Sequence, residues 1–414
     1  MKKLIFTLMA AAMTASSTAQ SVDTESLSAY DQNVPIGWAT IGEGVTGSND
    51  ENPVTVETRE ALIAALAGTT PKTIYVKGTI LFTGLVSING AQNKTVYGLP
   101  GAVLANPDHS TIKAESGILQ LKNCKNIILR NLTFKGAGAY DMDGSDNLEL
   151  QGSTYIWVDH CDFQDGVDGN LDCNNGSDNI CISWCRFHYL IAPWSGGSGG
   201  SNDHRYTNLW GGGDKNAAKD EGKLRTTFAN CWWDEGCKER MPRIRFGQVH
   251  LLNCLYSSSV ANYCVGGGYR SNAYIEKCAF TSNAAKKYPW KNYATSVTFN
   301  DYNYTITSCL GATDKQTRYG SIDYFIPSEK YSYESYDAAL VQSVVSNSSN
   351  GAGATLKFTD PTAIQESASV ADIVKVEYFS LDGSRLTMPR KGIAMQVVTK
   401  ADGTKLTRKI TLSK

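Results

Sequence analysis

Three arginines lie within six residues of one another, in the stretch Arg240-Met-Pro-Arg243-Ile-Arg245. Guanidinium groups suit carboxylates because they form two parallel hydrogen bonds with them. Arg243 and Arg245 are two residues apart, so an extended strand would turn both to one face and Ile244 to the other. The stretch indicates either an anion-binding surface or a set of structural salt bridges; for Arg243 we expect a salt bridge.

A cluster of aspartates lies about seventy residues upstream, comprising Asp162, Asp165, Asp168 and Asp172. Asp168 and Asp172 are separated by a glycine-containing turn, and Asp146 precedes them. Carboxylates without a nearby His or Cys ligand pattern suit a hard cation such as Ca²⁺. The alternative is that these aspartates cap turns. The acids could hold a cation and the arginines a polyanion. Together they predict one binding site between the two clusters.

Other kinds of chemistry find less support in the sequence. His160 and His250 stand inside strand-like runs, where we expect structural rather than catalytic histidines. There is no nucleophile elbow, phosphate-binding loop or zinc-ligand spacing. The formal net charge is -1, so no overall field attracts nucleic acid. We expect a monomer without a nucleic-acid partner.

The first residues are typical of a secretory signal peptide. Two lysines precede an apolar run over 4–12, and Ser17-Thr-Ala19 supplies small residues for cleavage. This predicts that residues 1–19 are removed and that the protein is secreted, to the medium or the outer cell surface. The run is too short to span a membrane, and no other stretch is suitable. Among the 11 Cys, an odd number, we expect mostly reduced, buried thiols, with one or two disulfides as the alternative.

A repeat underlies the middle of the chain. Short segments that begin with Asn or Cys and continue with an apolar, mostly aromatic residue recur after β-rich runs. Their spacings are roughly 30, 24, 46, 23, 24 and 31 residues. They begin at Asn131, Cys161, Cys185, Cys231, Cys254, Cys278 and Cys309. A period near 23 with occasional excess is typical of a solenoid with insertions. The interval of 46 is either one coil with an insertion at 190–222 or two coils.

These observations predict an all-β protein, a right-handed parallel β-helix with Cys ladders inside, in preference to a β-sandwich. The β-helix domain covers 20–353, and its glycine-rich part at 190–222 is expected to expose Trp194 and Trp210 near a site. A helix at 337–345 is expected to cover the end of the solenoid. A linker at 354–370 precedes a small β-sandwich-like module at 371–414, which has two Asp-Gly turns.

The motifs taken together resemble a known family. They are Trp157-Val-Asp-His-Cys161, Asp168-Gly-Asn-Leu-Asp172, Gly176-Ser-Asp-Asn-Ile-Cys-Ile-Ser-Trp184 and Arg240-Met-Pro-Arg-Ile-Arg-Phe-Gly-Gln-Val-His-Leu-Leu-Asn253. In this order they resemble the pectate lyases of polysaccharide lyase family 1, over about 35–350. The resemblance implies β-elimination from α-1,4-polygalacturonate, which leaves 4,5-unsaturated oligogalacturonates. The final module resembles sorting domains of secreted proteins.

The resemblance also implies roles for single residues. Asp146, Asp168 and Asp172 match the positions that ligate Ca²⁺. Arg240 matches the arginine proposed to take the C5 proton, and Arg245 the arginine that binds the substrate carboxylate.

The chain departs from the family at two places. Tyr206 stands where the family often has a lysine, so Arg205 beside it supplies the cation or the substrate is held differently. Residue 144 is glycine where the family sometimes has a second acid. The alternatives to a pectate lyase are a pectin lyase for methylated substrate and a non-catalytic carbohydrate-binding β-helix. The intact Asp168 and Asp172 disfavour the pectin lyase.

Overall fold

The computed structural model describes residues 33–50, 52–294, 298–357, 373–379, 385–386, 392–400 and 405–412. The predicted signal peptide at 1–19 and most of the predicted linker lie outside these residues. The chain divides into two compact units, Met1–Leu356 and Lys357–Lys414.

The first unit is built from three sheets whose parallel strands come from successive coils. The strands of the first sheet are Val54–Val56, Lys72–Val76, Gln92–Gly98, Lys125–Arg130, Thr154–Asp159, Asp178–Ser183, Thr226–Ala229, Gln248–Leu252, Asn272–Glu276, Tyr302–Thr307 and an antiparallel Lys315–Tyr319. The second sheet comprises Val86–Asn89, Leu119–Lys122, Leu148–Gln151, Leu171–Asn174, Leu209–Trp210, Arg243–Ile244, Val265–Gly267 and Trp290–Asn292. The third comprises Thr79–Leu81, Val103–Ala105, Thr133–Lys135, Asp162–Gln164, Arg186–His188, Trp232–Trp233, Leu255–Tyr256 and Ala279–Phe280.

Each coil runs from the second sheet to the first, then to the third, and back to the second. The step from the first to the third sheet is short, and its corner residue has a positive φ, as in Asn131, Asn230 and Asn253. Asparagine tolerates this left-handed conformation better than most residues. The return to the second sheet uses longer connections, so the site-building loops gather beside that sheet.

Side chains of one type stack along the interior of the coils. An aromatic column on the third sheet has neighbouring ring centroids 4.5 to 5.5 Å apart. It comprises Phe134, Phe163, Phe187, Trp233, Tyr256 and Phe280. All 11 cysteines are unpaired, and all but Cys309 are buried. The predicted parallel β-helix with an interior of reduced cysteines is confirmed.

The interval of 46 residues between Cys185 and Cys231 is one coil with an insertion. Strand Arg186–His188 pairs directly with Trp232–Trp233, which leaves no room for a second coil. As a result, the strand Arg243–Ile244 lies only two strands beyond Leu171–Asn174 in the second sheet. Because neighbouring strands lie about 4.8 Å apart, the arginines come within roughly 10 Å of the aspartate-bearing strand.

In the part of the chain that the structure describes, helices are few and short. The α-helices are Arg59–Leu66, Ala217–Asp220, Asn283–Lys287 and Val341–Val345, and the 3-10 helices are Gly37–Thr40, Lys113–Glu115, Pro327–Glu329 and Ala338–Leu340. The helix expected over the end of the solenoid instead packs on its side. Val341 and Val345 cover Leu255 and Ala279, which face outward from the third sheet because their neighbours Tyr256 and Phe280 face inward.

The second unit contains a four-stranded antiparallel sheet, with strands Ile373–Phe379, Arg385–Leu386, Gly392–Lys400 and Lys405–Leu412. The described residues form one sheet rather than the two layers of a sandwich. Within the described residues, no helix is long and apolar enough to cross a membrane.

Candidate active site

Arg240 lies at the end of the connection that leads into the strand Arg243–Ile244. Its φ is 59°, in the left-handed region that a non-glycine residue seldom adopts. The carbonyl oxygen of Arg240 accepts a hydrogen bond from Asn208 N at 2.7 Å, and its guanidinium lies 4.8 Å from the centre of the Tyr206 ring. The neighbouring coil therefore holds both the main chain and the side chain of Arg240.

Asp146, Asp168 and Asp172 lie close enough to influence one another's ionisation. Burial, together with the charges of Asp172 and Asp168, raises the pKa of Asp146 well above its ordinary value. Burial also raises the pKa of Asp172, to about 8, although the positive charge of Arg240 opposes this rise. These carboxylates cannot all be ionised without a large electrostatic cost unless positive charge is added among them.

The same carboxylates act on Arg240. Burial alone would lower the pKa of the guanidinium, but the negative charges of Asp172 and Asp168 outweigh burial and raise it above its ordinary value. In the absence of added positive charge, Arg240 is therefore held protonated by the acids beside it.

Gly169 leaves a small space between the acids. A Cβ atom at this position would lie 2.7 Å from Asp146 Oδ1, 3.3 Å from Asp172 Oδ1 and 3.4 Å from the carbonyl oxygen of Thr207. Three oxygen atoms thus surround a position that only glycine leaves open. An all-oxygen donor set around a small space fits a hard cation such as Ca²⁺.

Asp168 faces a different partner from the other two acids. Its Oδ1 lies 2.9 Å from His204 Nε2, while His204 Nδ1 lies 2.7 Å from Asp141 Oδ1. In the described part of the chain, no three acid, His or Cys side chains are arranged as a group that could hold a metal ion. Asp168 is thus paired with His204, whereas Asp146 and Asp172 face the space at Gly169.

Arg243 and Arg245 flank Ile244 as the sequence predicts, with Ile244 buried and both arginines partly exposed. Nε of Arg245 donates to Asp214 Oδ1 at 2.6 Å, and its Nη1 donates to the carbonyl oxygen of Gly211 at 2.9 Å. These two bonds fix the orientation of the Arg245 guanidinium on the outer face of the second sheet.

The salt bridge expected for Arg243 is absent among the described residues. Instead, its guanidinium lies 4.2 Å from the centre of the Tyr293 ring, and its Nε is buried without a hydrogen-bond acceptor. Burial and the nearby charge of Arg245 lower the pKa of Arg243. The acids that could have paired with it lie two strands away. Arg243 therefore retains unused capacity to bind an anion.

Arg205 and Tyr206, which lie within the long insertion, have different surroundings. Arg205 donates two hydrogen bonds of 2.7 Å to the carboxylate of Asp203, and Lys238 contacts the same carboxylate. Tyr206 lies between His204, at 4.1 Å between ring centres, and the guanidinium of Arg240. The structure brings Tyr206 to Arg240 and ties Arg205 to Asp203.

Several residues of the sequence clusters lie elsewhere. Asp162 pairs with His188 on the third sheet, and Asp165 accepts hydrogen bonds from the N–H groups of Leu190 and Ile191. His160 contacts Asp159, and His250 contacts Tyr331 and Glu276. Both histidines are buried, His250 in a strand of the first sheet and His160 at the corner that follows one, in agreement with the structural role expected for them. Trp194 is exposed, but Trp210 is fully buried, with its Nε1 donating to Thr226.

Two residues of the site were missed by sequence reasoning. Glu149 pairs in register with Asp172 on the adjacent strand, and burial raises its pKa. The alternation Leu148-Glu149-Leu150, opposite Leu171-Asp172-Cys173, would have revealed this pairing once the strands were aligned. His204 was missed because nothing local in the sequence indicates its two aspartate partners.

The fold and the site define a parallel β-helix with carboxylates and guanidinium groups on one outer face. A family profile described as pectate lyase matches residues 1–355. The chain therefore belongs to the pectate lyase family, whose members are polysaccharide lyases, and the predicted resemblance is confirmed.

Relatives from bacteria and fungi agree with this assignment. Pectate lyase E of Dickeya chrysanthemi is 29% identical over 398 residues, which cover 84% of this chain and 97% of that protein. Pectate lyase D of the same organism is 30% identical and covers 76% of this chain and 88% of its own length. Probable pectate lyase B of Aspergillus terreus is 33% identical over 54% of this chain, and the match spans 61% of that protein.

Solved structures support the fold. A structure titled "Pectate lyase bound to hexasaccharide" has a TM-score of 0.56 at 22% identity and covers 77% of this chain and 96% of its own. A pectate lyase from Paenibacillus sp. 0602 has a TM-score of 0.58 at 16% identity, and the match covers 81% of this chain and 98% of that one. At these identities the likeness concerns the β-helix alone.

Proposed function

We propose that the protein cleaves α-1,4-polygalacturonate by Ca²⁺-assisted β-elimination and releases 4,5-unsaturated oligogalacturonates. The observation that carries this proposal is the placement of Arg240 beside Asp146, Asp168 and Asp172, with an oxygen-lined space at Gly169. Membership of the pectate lyase family supports the same substrate and reaction.

Asp146, Asp168 and Asp172 would hold the calcium ion. When bound, Ca²⁺ supplies positive charge that stabilises the uronate carboxylate while the proton on the adjacent C5 is removed. The raised pKa values of Asp146 and Asp172 support this assignment, because burial has made these carboxylates unfavourable as isolated anions. Glu149, paired with Asp172, adds a fourth carboxylate to the same wall.

Arg240 would accept the C5 proton. An arginine is a poor base because its ordinary pKa lies far above neutrality, and here the neighbouring acids raise that pKa further. Neutralisation of those acids is therefore a condition for Arg240 to act as a base. The ring of Tyr206 beneath the guanidinium would hold it in position.

Arg245 would bind the substrate carboxylate, oriented by Asp214 and Gly211. Arg205 is a weaker candidate for substrate binding because Asp203 already takes two of its hydrogen bonds. Tyr206 would then act on the substrate mainly by fixing Arg240.

The test of this function is an elimination assay with and without a chelator. Purified protein incubated with polygalacturonate should produce ultraviolet absorbance from the unsaturated uronate, and chelation should abolish the increase. An increase that persists in the chelator and prefers methylated pectin would indicate a pectin lyase. Binding without any increase on either polymer would indicate a carbohydrate-binding protein.

Arg243 is expected to bind a second carboxylate of the polymer. Replacing Arg243 with alanine should raise KM for polygalacturonate about tenfold or more, because a charged hydrogen bond contributes roughly 1.5 to 3 kcal/mol. Steady-state kinetics would measure the change. Arg318→Ala is the control, since Arg318 is 40% exposed and pairs with Asp323. An unchanged KM in Arg243→Ala would contradict this role.

We also propose that the protein is exported. The basis is the signal-peptide pattern at 1–19, and a sorting role for the final module remains part of the same proposal. Mass spectrometry of protein recovered from the medium or cell surface should find a chain that begins near Gln20. A cell-associated chain that retains Met1 would contradict export.

A further inference from the structure

Three rings form an aromatic patch on the connections that lead back to the second sheet. His109 stacks on Trp194 at 4.1 Å between ring centres and 15° between planes, and it meets the edge of Tyr140 at 5.2 Å. His109 and Trp194 are exposed; 41% of Trp194 is accessible to solvent. A large exposed indole that already stacks on another ring presents an apolar platform to the solvent.

Trp194 is held in a fixed position. Its Nε1 donates to the carbonyl oxygen of Ala137 at 3.1 Å, and its main-chain N–H donates to the carbonyl oxygen of Ala139 at 2.8 Å. Gly138 passes so close that a Cβ there would lie 2.8 Å from the indole nitrogen. A platform fixed in this way loses little conformational freedom when it binds a ligand.

The patch is continuous with the candidate active site. The N–H of Tyr140 donates to the carbonyl oxygen of Val167 at 2.9 Å, one residue before Asp168. The next residue, Asp141, contacts His204, which in turn contacts Asp168. A polysaccharide that reaches Asp168 can therefore extend along these loops toward the patch.

The charge of the patch differs from that of the arginine-lined wall. None of its three side chains is lysine or arginine, and Asp108 and Asp141 are the chain neighbours of His109 and Tyr140. A uronate carboxylate would find no lysine or arginine among these residues, the only imidazole is already stacked on Trp194, and the two neighbouring aspartates would oppose its charge. Removing water from a carboxylate that gains no cationic partner costs free energy. A sugar unit without a free carboxylate avoids this cost and still offers its apolar ring face for stacking.

We propose that His109, Tyr140 and Trp194 form a subsite that stacks one pyranose unit of the polymer, outside the point of cleavage, and favours an uncharged unit such as a methyl-esterified galacturonate. This subsite would let the enzyme act on partly esterified chains, because its acids and arginines would bind a de-esterified segment while the patch binds an esterified unit. The inference rests on the proposed function for the identity of the polymer.

The test compares Trp194→Ala with wild type on partly methyl-esterified pectin and on fully de-esterified polygalacturonate. With the esterified polymer, KM should rise about three- to tenfold, which corresponds to roughly 0.7 to 1.4 kcal/mol. The rise should be smaller with the de-esterified polymer, and the loss should lie in KM rather than kcat. Trp194→Phe, which keeps a ring, should recover much of the affinity.

Leu190→Ala is the matched control, because Leu190 is an apolar residue on the same connection with 67% exposure and lies outside the patch. It should leave KM unchanged. Equal KM changes on the two polymers would overturn the preference for an uncharged unit, and no change on either would overturn the subsite. Affinity electrophoresis of wild type and Trp194→Ala in gels containing each polymer measures binding without turnover. A binding difference without any elimination product would support the subsite and overturn the proposed function.

Discussion

Replacing Arg240 with lysine is expected to reduce kcat for polygalacturonate by about 10²- to 10⁴-fold, the usual contribution of a positioned proton-transfer group. Lysine keeps the positive charge beside Asp172 and Asp168, so the carboxylates remain compensated. It loses the planar guanidinium that lies over the Tyr206 ring and that we propose as the proton acceptor. The loss should therefore appear in kcat, measured as the initial rate of unsaturated product at saturating polymer and calcium.

Arg270→Lys provides a matched control. Arg270 also has a positive φ, 57° against 59° for Arg240, but it pairs with Glu221 rather than with the site aspartates. The control should retain wild-type kcat, and both variants should unfold at temperatures near that of the wild type. An Arg240→Lys or Arg240→Ala variant that keeps substantial elimination activity would remove Arg240 as the base.

Replacing Asp172 with asparagine is expected to weaken Ca²⁺ binding by about 100-fold, or roughly 2.7 kcal/mol. The amide has nearly the shape of the carboxylate and keeps an oxygen acceptor for the N–H of Leu209, which donates to Asp172 Oδ1 at 2.7 Å. It lacks the negative charge that attracts the cation. Isothermal titration calorimetry with CaCl₂ alone would measure the affinity without any reliance on activity.

A second variant fills the space between the acids and leaves their charges unchanged. Gly169→Ala would place a methyl group 2.7 Å from Asp146 Oδ1 and should also weaken Ca²⁺ binding. Gly213→Ala is its control, because the nearest atom to a Cβ there is 4.0 Å away. The rise in melting temperature on addition of Ca²⁺ should shrink in Asp172→Asn and Gly169→Ala and persist in Gly213→Ala. Full Ca²⁺ affinity in both test variants would place the cation elsewhere.

The outer face of the second sheet carries side chains of both charges in one row. Parallel strands in register place equivalent residues of successive coils side by side. Glu149 neighbours Asp172, and two strands further on Arg243 neighbours Gly266, which neighbours Lys291. Carboxylates thus lie toward one end of this row and cationic side chains toward the other. A polyanion lying across the row would meet the carboxylates first and then the guanidinium of Arg243 and the ammonium of Lys291.

Much of the fold could be predicted from local chemistry. Short β-rich runs with a period near 23, each followed by a small or aromatic step, require stacked coils because one coil cannot bury its own apolar residues. The Cys and aromatic columns follow directly from that register. The alternation around Ile244 likewise predicts which arginines face outward, because side chains on a strand alternate between its two faces.

The contacts between coils could not be predicted in the same way. Whether Asp168 faces a cation or His204, and whether Arg243 finds an acid or an aromatic ring, depends on loops of unequal length brought together by the solenoid. The interval of 46 residues before Cys231 is one coil with an insertion rather than two coils, and this decides that Arg243 lies only two strands from Asp172.

The sequence by itself determined the β-helix, the family and the identities of Arg240, Arg245, Asp146, Asp168 and Asp172 as candidate site residues, because these are properties of residue type and spacing. Only the tertiary structure decided that Tyr206 lies against Arg240, that Arg205 is taken by Asp203, and that Trp194 is exposed while Trp210 is buried. The physical reason is that side-chain partners come from different coils, and the distance between coils along the chain varies with each insertion.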